Sequence, residues 1–193
     1  ISPGGQLAVM ALNGSSARIF DLDKNFILCG LNRHEADLLT ARFAADGAAV
    51  VTVSKDGHMV RWSTEGEVKD ERELEIEIAQ AVVSADGSFV VVITTEGEAY
   101  ISSFGDEELR HLAIESAVRE AGLMSSDERL VTRDEGGVFR SFDVESGALM
   151  FERSLEGPVV VMGGASAGAE VAIGSEDGEV ELWDLAAEER IGT

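Results

Sequence analysis

Ala45-Asp46-Gly47-Ala48-Ala49-Val50-Val51-Thr52-Val53-Ser54-Lys55-Asp56-Gly57-His58-Met59-Val60-Arg61-Trp62-Ser63 reads as a turn, a strand, a second turn and a second strand. Ala49 to Val53 is a β-branched run suited to a strand buried on both faces. Asp56-Gly57 supplies the positive φ that a tight hairpin turn needs. Met59-Val60-Arg61-Trp62 then alternates and ends on an aromatic.

The same layout recurs along the chain. Ala85-Asp86-Gly87 to Ser102-Ser103 and Ala167-Gly168 to Trp183-Asp184 repeat it clearly; Gly4-Gly5 to Phe20-Asp21 and Asp127-Glu128 to Phe142-Asp143 repeat it loosely. The aromatic place falls at Phe20, Trp62, Ser102, Phe142 and Trp183, spacings of 42, 40, 40 and 41. The first turn falls at Gly5, Gly47, Gly87, Glu128 and Gly168, spacings of 42, 40, 41 and 40. Two independent markers keep one period. Hairpin dipeptides stand between the strands at Asn13-Gly14, Asp56-Gly57, Glu96-Gly97, Glu135-Gly136 and Asp177-Gly178. A further strand is expected at Phe26-Ile27-Leu28-Cys29, Leu74-Glu75-Ile76-Glu77-Ile78, Ala148-Leu149-Met150-Phe151 and Arg190-Ile191. Four short strands per roughly 40 residues mark the blades of a propeller. The expected fold is all-β, a β-propeller of four-stranded antiparallel blades in five units: 1–31, 32–72, 73–112, 113–153 and 154–193.

At these residues the chain resembles the WD-repeat family, as a degenerate member. The second unit carries the resemblance best, with Arg33-His34, Thr40 to Gly47, Ser54-Lys55-Asp56-Gly57 and Trp62. The resemblance implies a buried hydrogen-bond network within one blade, its places held here by His34, Ser54, Asp56 and Trp62. Such a network satisfies buried polar groups and locks strand register. In the fifth unit Ser175, Asp177, Trp183 and Asp184 match, while Gly157-Pro158 stands near the place of the histidine. The first, third and fourth units keep only the turns and the apolar pattern.

The first unit begins at Ile1-Ser2-Pro3-Gly4-Gly5, after nearly all of its innermost strand, and the expectation is an excerpt of a longer protein. An unpaired blade edge is sticky, so the rest of the parent chain or another chain is expected to supply the missing strand. WD-repeat rings commonly close with seven blades; a closed five-blade ring is the alternative.

Composition narrows the function classes. With 37 acidic against 15 basic side chains the net charge is −22, which repels phosphate backbones and attracts basic partners. Direct nucleic-acid binding is therefore not expected. No apolar run approaches the roughly 18 residues of a spanning helix, and membrane insertion is not expected either. Cys29 is the only cysteine, which fits a reducing intracellular compartment, cytoplasmic in preference to nuclear.

Catalytic chemistry finds little support. His34, Ser54 and Asp56 hold the ingredients of a nucleophilic triad, but no strand-to-helix nucleophile elbow surrounds Ser54. His58 and His111 belong to no spacing of metal ligands. Gly163-Gly164-Ala165-Ser166-Ala167-Gly168 lacks the Lys-Ser/Thr of a phosphate loop. Glu176-Asp177-Gly178-Glu179 and Asp106-Glu107-Glu108 lack the ordered spacing of a calcium loop. No catalytic residue, cofactor or metal is assigned.

The strongest anomaly is the acidic run Glu65, Glu67, Asp70, Glu71, Glu73, Glu75 and Glu77. Leu74, Ile76 and Ile78 alternate with its last three members, which places the carboxylates on the rim of an outer strand. Two readings stand: an edge charged to refuse further strand pairing, or a docking strip for a Lys/Arg-rich segment. The expected function is a non-enzymatic protein–protein interaction scaffold in a larger assembly. Its variant is an acidic reader or chaperone of basic peptides such as histone or ribosomal-protein tails. A propeller enzyme or small-molecule sensor is the contrasting class.

Overall fold

The computed structural model describes residues 1–12, 14–124, 127–154, 159–164, 170–175, 178–185, 187 and 189–192, with backbone alone at 159–164 and 175. These residues form nineteen strands and no helix. The first sheet holds β1 (Leu7–Ala11), β2 (Ser16–Asp21) and β3 (Phe26–Asn32). The second holds β4 (Leu38–Phe43), β5 (Ala49–Ser54), β6 (His58–Ser63) and β7 (Val68–Glu73). In the third are β8 (Ile78–Val83), β9 (Phe89–Thr94), β10 (Ala99–Ser103) and β11 (Leu109–Leu112). The fourth comprises β12 (Val118–Met124), β13 (Arg129–Asp134), β14 (Val138–Asp143) and β15 (Leu149–Ser154). The fifth comprises β16 (Val159–Gly164), β17 (Glu170–Ser175), β18 (Val180–Asp184) and β19 (Glu189–Gly192). Strands follow chain order across every sheet, the meander that short hairpin turns enforce.

The chain divides into two compact units, residues 1–95 with 99–111, and residues 96–98 with 112–193. In the first unit, Val50, Val60 and Trp62 pack with Ala17, Ile19 and Leu31 of the first sheet. Val51, Val53 and Met59 pack with Val83, Val90 and Val92 of the third. Both faces of the second sheet are thus covered, which is why β5 is apolar without alternation and buried throughout. Each such side chain contributes about 1.5–3 kcal/mol of burial. In the second unit, Met124, Val131 and Phe139 pack with Val171, Ile173, Trp183 and Leu185.

Two register shifts recur. On the inner side the pairing slips between Leu38 and Thr40, Ile78 and Gln80, Val118 and Glu120, and Val159 and Val161. On the outer side it slips at the aromatic place, at Phe20, Trp62, Phe142 and Trp183. Each is a β-bulge, one extra residue that sharpens the local twist.

Three sequence expectations are corrected. The outer strand of the second sheet is Val68–Glu73, and Leu74 to Glu77 is the connection to β8 rather than a strand. The bulge at Trp62 sets Arg61 opposite Asp70 and Met59 opposite Arg72, while Leu74 and Ile78 turn into the core. In the fourth sheet the first turn takes its positive φ at Asp127 (73°), one residue before Glu128. Aspartate tolerates that conformation better than most residues, and its place restores spacings of 42, 40 and 40 from Gly5, Gly47 and Gly87. The next turn is held by Gly137 (φ 79°) in place of Glu135-Gly136. Asn13, Gly157-Pro158, Ala165 to Gly168 and Glu176-Asp177 lie outside the described residues.

The first sheet has three strands where the others have four. Its entry turn is nevertheless built like its counterparts. Ser2 N–H donates to Leu7 C=O at 2.8 Å, as Ala44 does to Ala49 at 2.9 Å and Ser84 to Phe89 at 3.0 Å. Beside β1, Ile1, Pro3 and Val9 face Ala41 to Phe43 of β4 across a cavity of about 330 Å³. No helix among the described residues is long and apolar enough to cross a membrane.

Candidate functional site

Thr52 and Ser54 stand two apart on β5, so their hydroxyls reach the same face of a strand with no access to water. Burial without partners would cost about 1–3 kcal/mol per hydroxyl. Both meet His34, from the segment before β4. Its Nδ1 lies 2.9 Å from Ser54 Oγ and its Nε2 2.6 Å from Thr52 Oγ1. Trp62 Nε1 donates to Thr52 Oγ1 at 2.8 Å. Ser54 Oγ donates to Asp56 Oδ1 at 2.5 Å, and His58 N donates to the same oxygen at 3.2 Å.

Those bonds set the direction of every proton in the chain. Ser54 gives its hydrogen to Asp56 and must accept from His34, so the histidine carries its proton on Nδ1. Nε2 then accepts from Thr52, whose oxygen takes the indole N–H. Burial, and next the neighbouring His58, push the His34 pKa down to about 4, only partly offset by Asp56. The imidazole is neutral at pH 7, as that bond order demands. Burial raises the Asp56 pKa, but the donors Ser54 and His58 outweigh it and leave the carboxyl below its ordinary value. Ser54 is fully buried and donates to the carboxylate rather than to the imidazole, the reverse of a nucleophile's arrangement.

The fifth sheet solves the same problem differently. Register places Ile173 where the second sheet has Thr52, and the Trp183 indole donates instead to Glu181 Oε2 at 2.9 Å. The side chain of Ser175 and all of Asp177 lie outside the described residues. In the fourth sheet Phe142 holds the aromatic place without an N–H, and Thr132 Oγ1 is buried with no partner among the described residues. Asp134 replaces the serine there and anchors another network. It accepts from Ser116 Oγ, from Val138 N at 2.8 Å and from Arg140 Nη1 at 2.8 Å, and Arg140 Nε continues to Glu152 at 2.7 Å. Sequence reading missed Thr52, Ser116, Asp134 and Arg140. At Thr52 the trace in the sequence is a polar residue between Val51 and Val53.

The acidic run is divided by the fold. Glu65 and Glu67 flank the turn before β7, Asp70, Glu71 and Glu73 lie on it, and Glu75 and Glu77 lie on the connection to β8. Part of the charge is compensated: Arg33 meets Glu71 through two bonds of 2.8 and 2.9 Å, and Lys69 meets Glu67 at 3.2 Å. Arg72 turns away and donates to the carbonyls of Ser103, Asp106 and Glu107, tying down the loop before β11. Asp70, Glu73, Glu75 and Glu77 have no ion pair among the described residues. Among those residues no three His, Cys, Asp or Glu side chains converge closely enough to hold a metal ion.

No protein-family model matches the chain. No curated protein matches it either. Among solved structures it is similar to the β-propeller domain of Cps50 (Swd1) from Myceliophteria thermophila, with a TM-score of 0.79 at 10% identity. The likeness covers 95% of this chain and 64% of that one, so the chain spans about two-thirds of that domain. The fold is therefore a β-propeller, and its sheets are blades.

Proposed function

We propose that the chain is part of a WD-repeat propeller that serves as a non-enzymatic, intracellular scaffold for other proteins. One observation carries the reading. The polar side chains that could do chemistry, from His34 to Asp56 and from Ser116 to Glu152, are used up inside single blades. What remains for partners is a set of blades with loops at their strand ends and exposed carboxylates.

Basic segments on the partner are the finer form of this reading, supported by the net charge of −22. A further extended segment, from the parent polypeptide or another chain, adds to the open edge of β1, where the three-stranded sheet and the adjoining cavity leave room for it.

The experiment is affinity capture of the protein from its own cells, with quantitative mass spectrometry at about 0.15 M and about 0.5 M salt. A fixed set of partners at both salts is expected of a scaffold subunit. Basic partners held only at the lower salt would favour a transient reader of basic peptides, and no partner at either salt would overturn the scaffold.

A further inference from the structure

Asp56, Glu75 and Glu77 share the wall of a groove of about 460 Å³, together with Ala36, Ile76 and Ile78. Main-chain bonds fix that wall. Leu74 N donates to Gly57 O at 3.1 Å, Ile78 N to Lys55 O at 2.8 Å and Thr95 N to Glu77 O at 3.2 Å. Glu75 and Glu77 project from a segment pinned at both ends, alternating with the half-buried Ile76. Among the described residues lining the groove the one cation, Lys55, is held by Asp37 at 3.0 Å.

The carboxylates of Glu75 and Glu77 thus stand beside an apolar floor, next to Asp56, whose Oδ1 is taken within the blade. They do not converge closely enough for a metal ion. Charges spread along a groove suit an extended cationic chain rather than a single ion. The apolar floor asks in addition for one aliphatic side chain, and a wall whose backbone is already pinned lowers the ordering cost of binding.

We infer that this groove docks a segment of a partner protein in which Lys or Arg residues flank one aliphatic residue. The inference rests on the scaffold reading and assigns one of its contact sites. The aliphatic side chain lies against Ala36 and Ile76, and the flanking cations meet Glu75 and Glu77.

The test is fluorescence anisotropy with a fluorescein-labelled, glycine-flanked Lys-Leu-Lys peptide titrated into the 193-residue chain. Saturable binding is expected, weakened about fivefold or more by E75Q/E77Q and less than about twofold by E65Q/E67Q, which removes the same charge elsewhere. Replacing the peptide's leucine with glycine is expected to weaken binding by about fivefold as well. Equal losses in the two double variants, an unaffected glycine peptide, or no saturable binding would each overturn the groove. Matching thermal melts of both variants exclude unfolding as the cause of a loss. Capture from cells separates this inference from the reading beneath it. Partners retained by E75Q/E77Q overturn the groove alone, whereas their absence even with the native chain overturns the scaffold.

Discussion

Thr52 Oγ1 serves two rings at once, accepting from the Trp62 indole and lying 2.6 Å from His34 Nε2. Trp62 is 3% exposed, so Trp62→Ala removes both packing and a donor and is expected to cost about 3–5 kcal/mol in urea unfolding. Trp62→Phe keeps most of the ring and is expected to cost about 1–3 kcal/mol, because Thr52 Oγ1 loses the indole donor and keeps only His34. An alanine variant within about 1 kcal/mol of the native chain would contradict the network. His34 makes a second prediction. Its pKa falls from an ordinary 6.5 to about 4 on folding, so the unfolded chain takes up the proton first. Its contribution to stability is complete above pH 6.5 and is lost as the pH falls from there to about 4. Melting temperatures between pH 7.5 and 4 should fall less steeply in His34→Gln, and parallel curves would remove the histidine from the account. The histidine, serine, aspartate and tryptophan places were legible by resemblance. Thr52 was not, because threonine within a β-branched run carries the same strand signal as valine.

Turns made the elements legible, since a glycine or aspartate at positive φ leaves a mark that drifting strand residues do not. Gly57 shows how strict that mark is. With φ at 88°, a Cβ there would lie 2.2 Å from Leu74 O and 2.7 Å from Ile76 O. Gly57→Ala is expected to lose about 2 kcal/mol or more, from backbone strain and collision together. Gly178 holds the matching turn of the fifth blade at φ 89°, with no described atom within 4 Å of such a Cβ. Its alanine variant is expected to lose only the conformational part, about 1 kcal/mol. Equal losses on chemical denaturation would show that the Leu74 carbonyl gives way. The outer strand of the second blade was misplaced for a related reason. Val-Lys-Asp-Glu-Arg-Glu, residues 68–73, has no apolar alternation, whereas Leu74 to Ile78 alternates while crossing between blades. Alternation reports which side chains turn inward, and a crossing segment pinned over a core shares that property with a strand.

Over the whole chain the period was plain and the acidic face only half so. Composition showed the net charge of −22, but not that Arg33 and Lys69 neutralise part of the acidic run or that Glu75 and Glu77 stand apart from it. Pairing across 38 residues, as between Arg33 and Glu71, leaves no trace in spacing. Among the described residues the second and fourth blades are held by different buried networks, yet both keep their bulges at the same two places. That constancy has a genetic consequence. A crossover between equivalent points of two repeats joins halves whose registers already agree, so misaligned exchange adds or removes a whole blade and leaves no broken one. Propellers with different numbers of blades are then one mutational event apart.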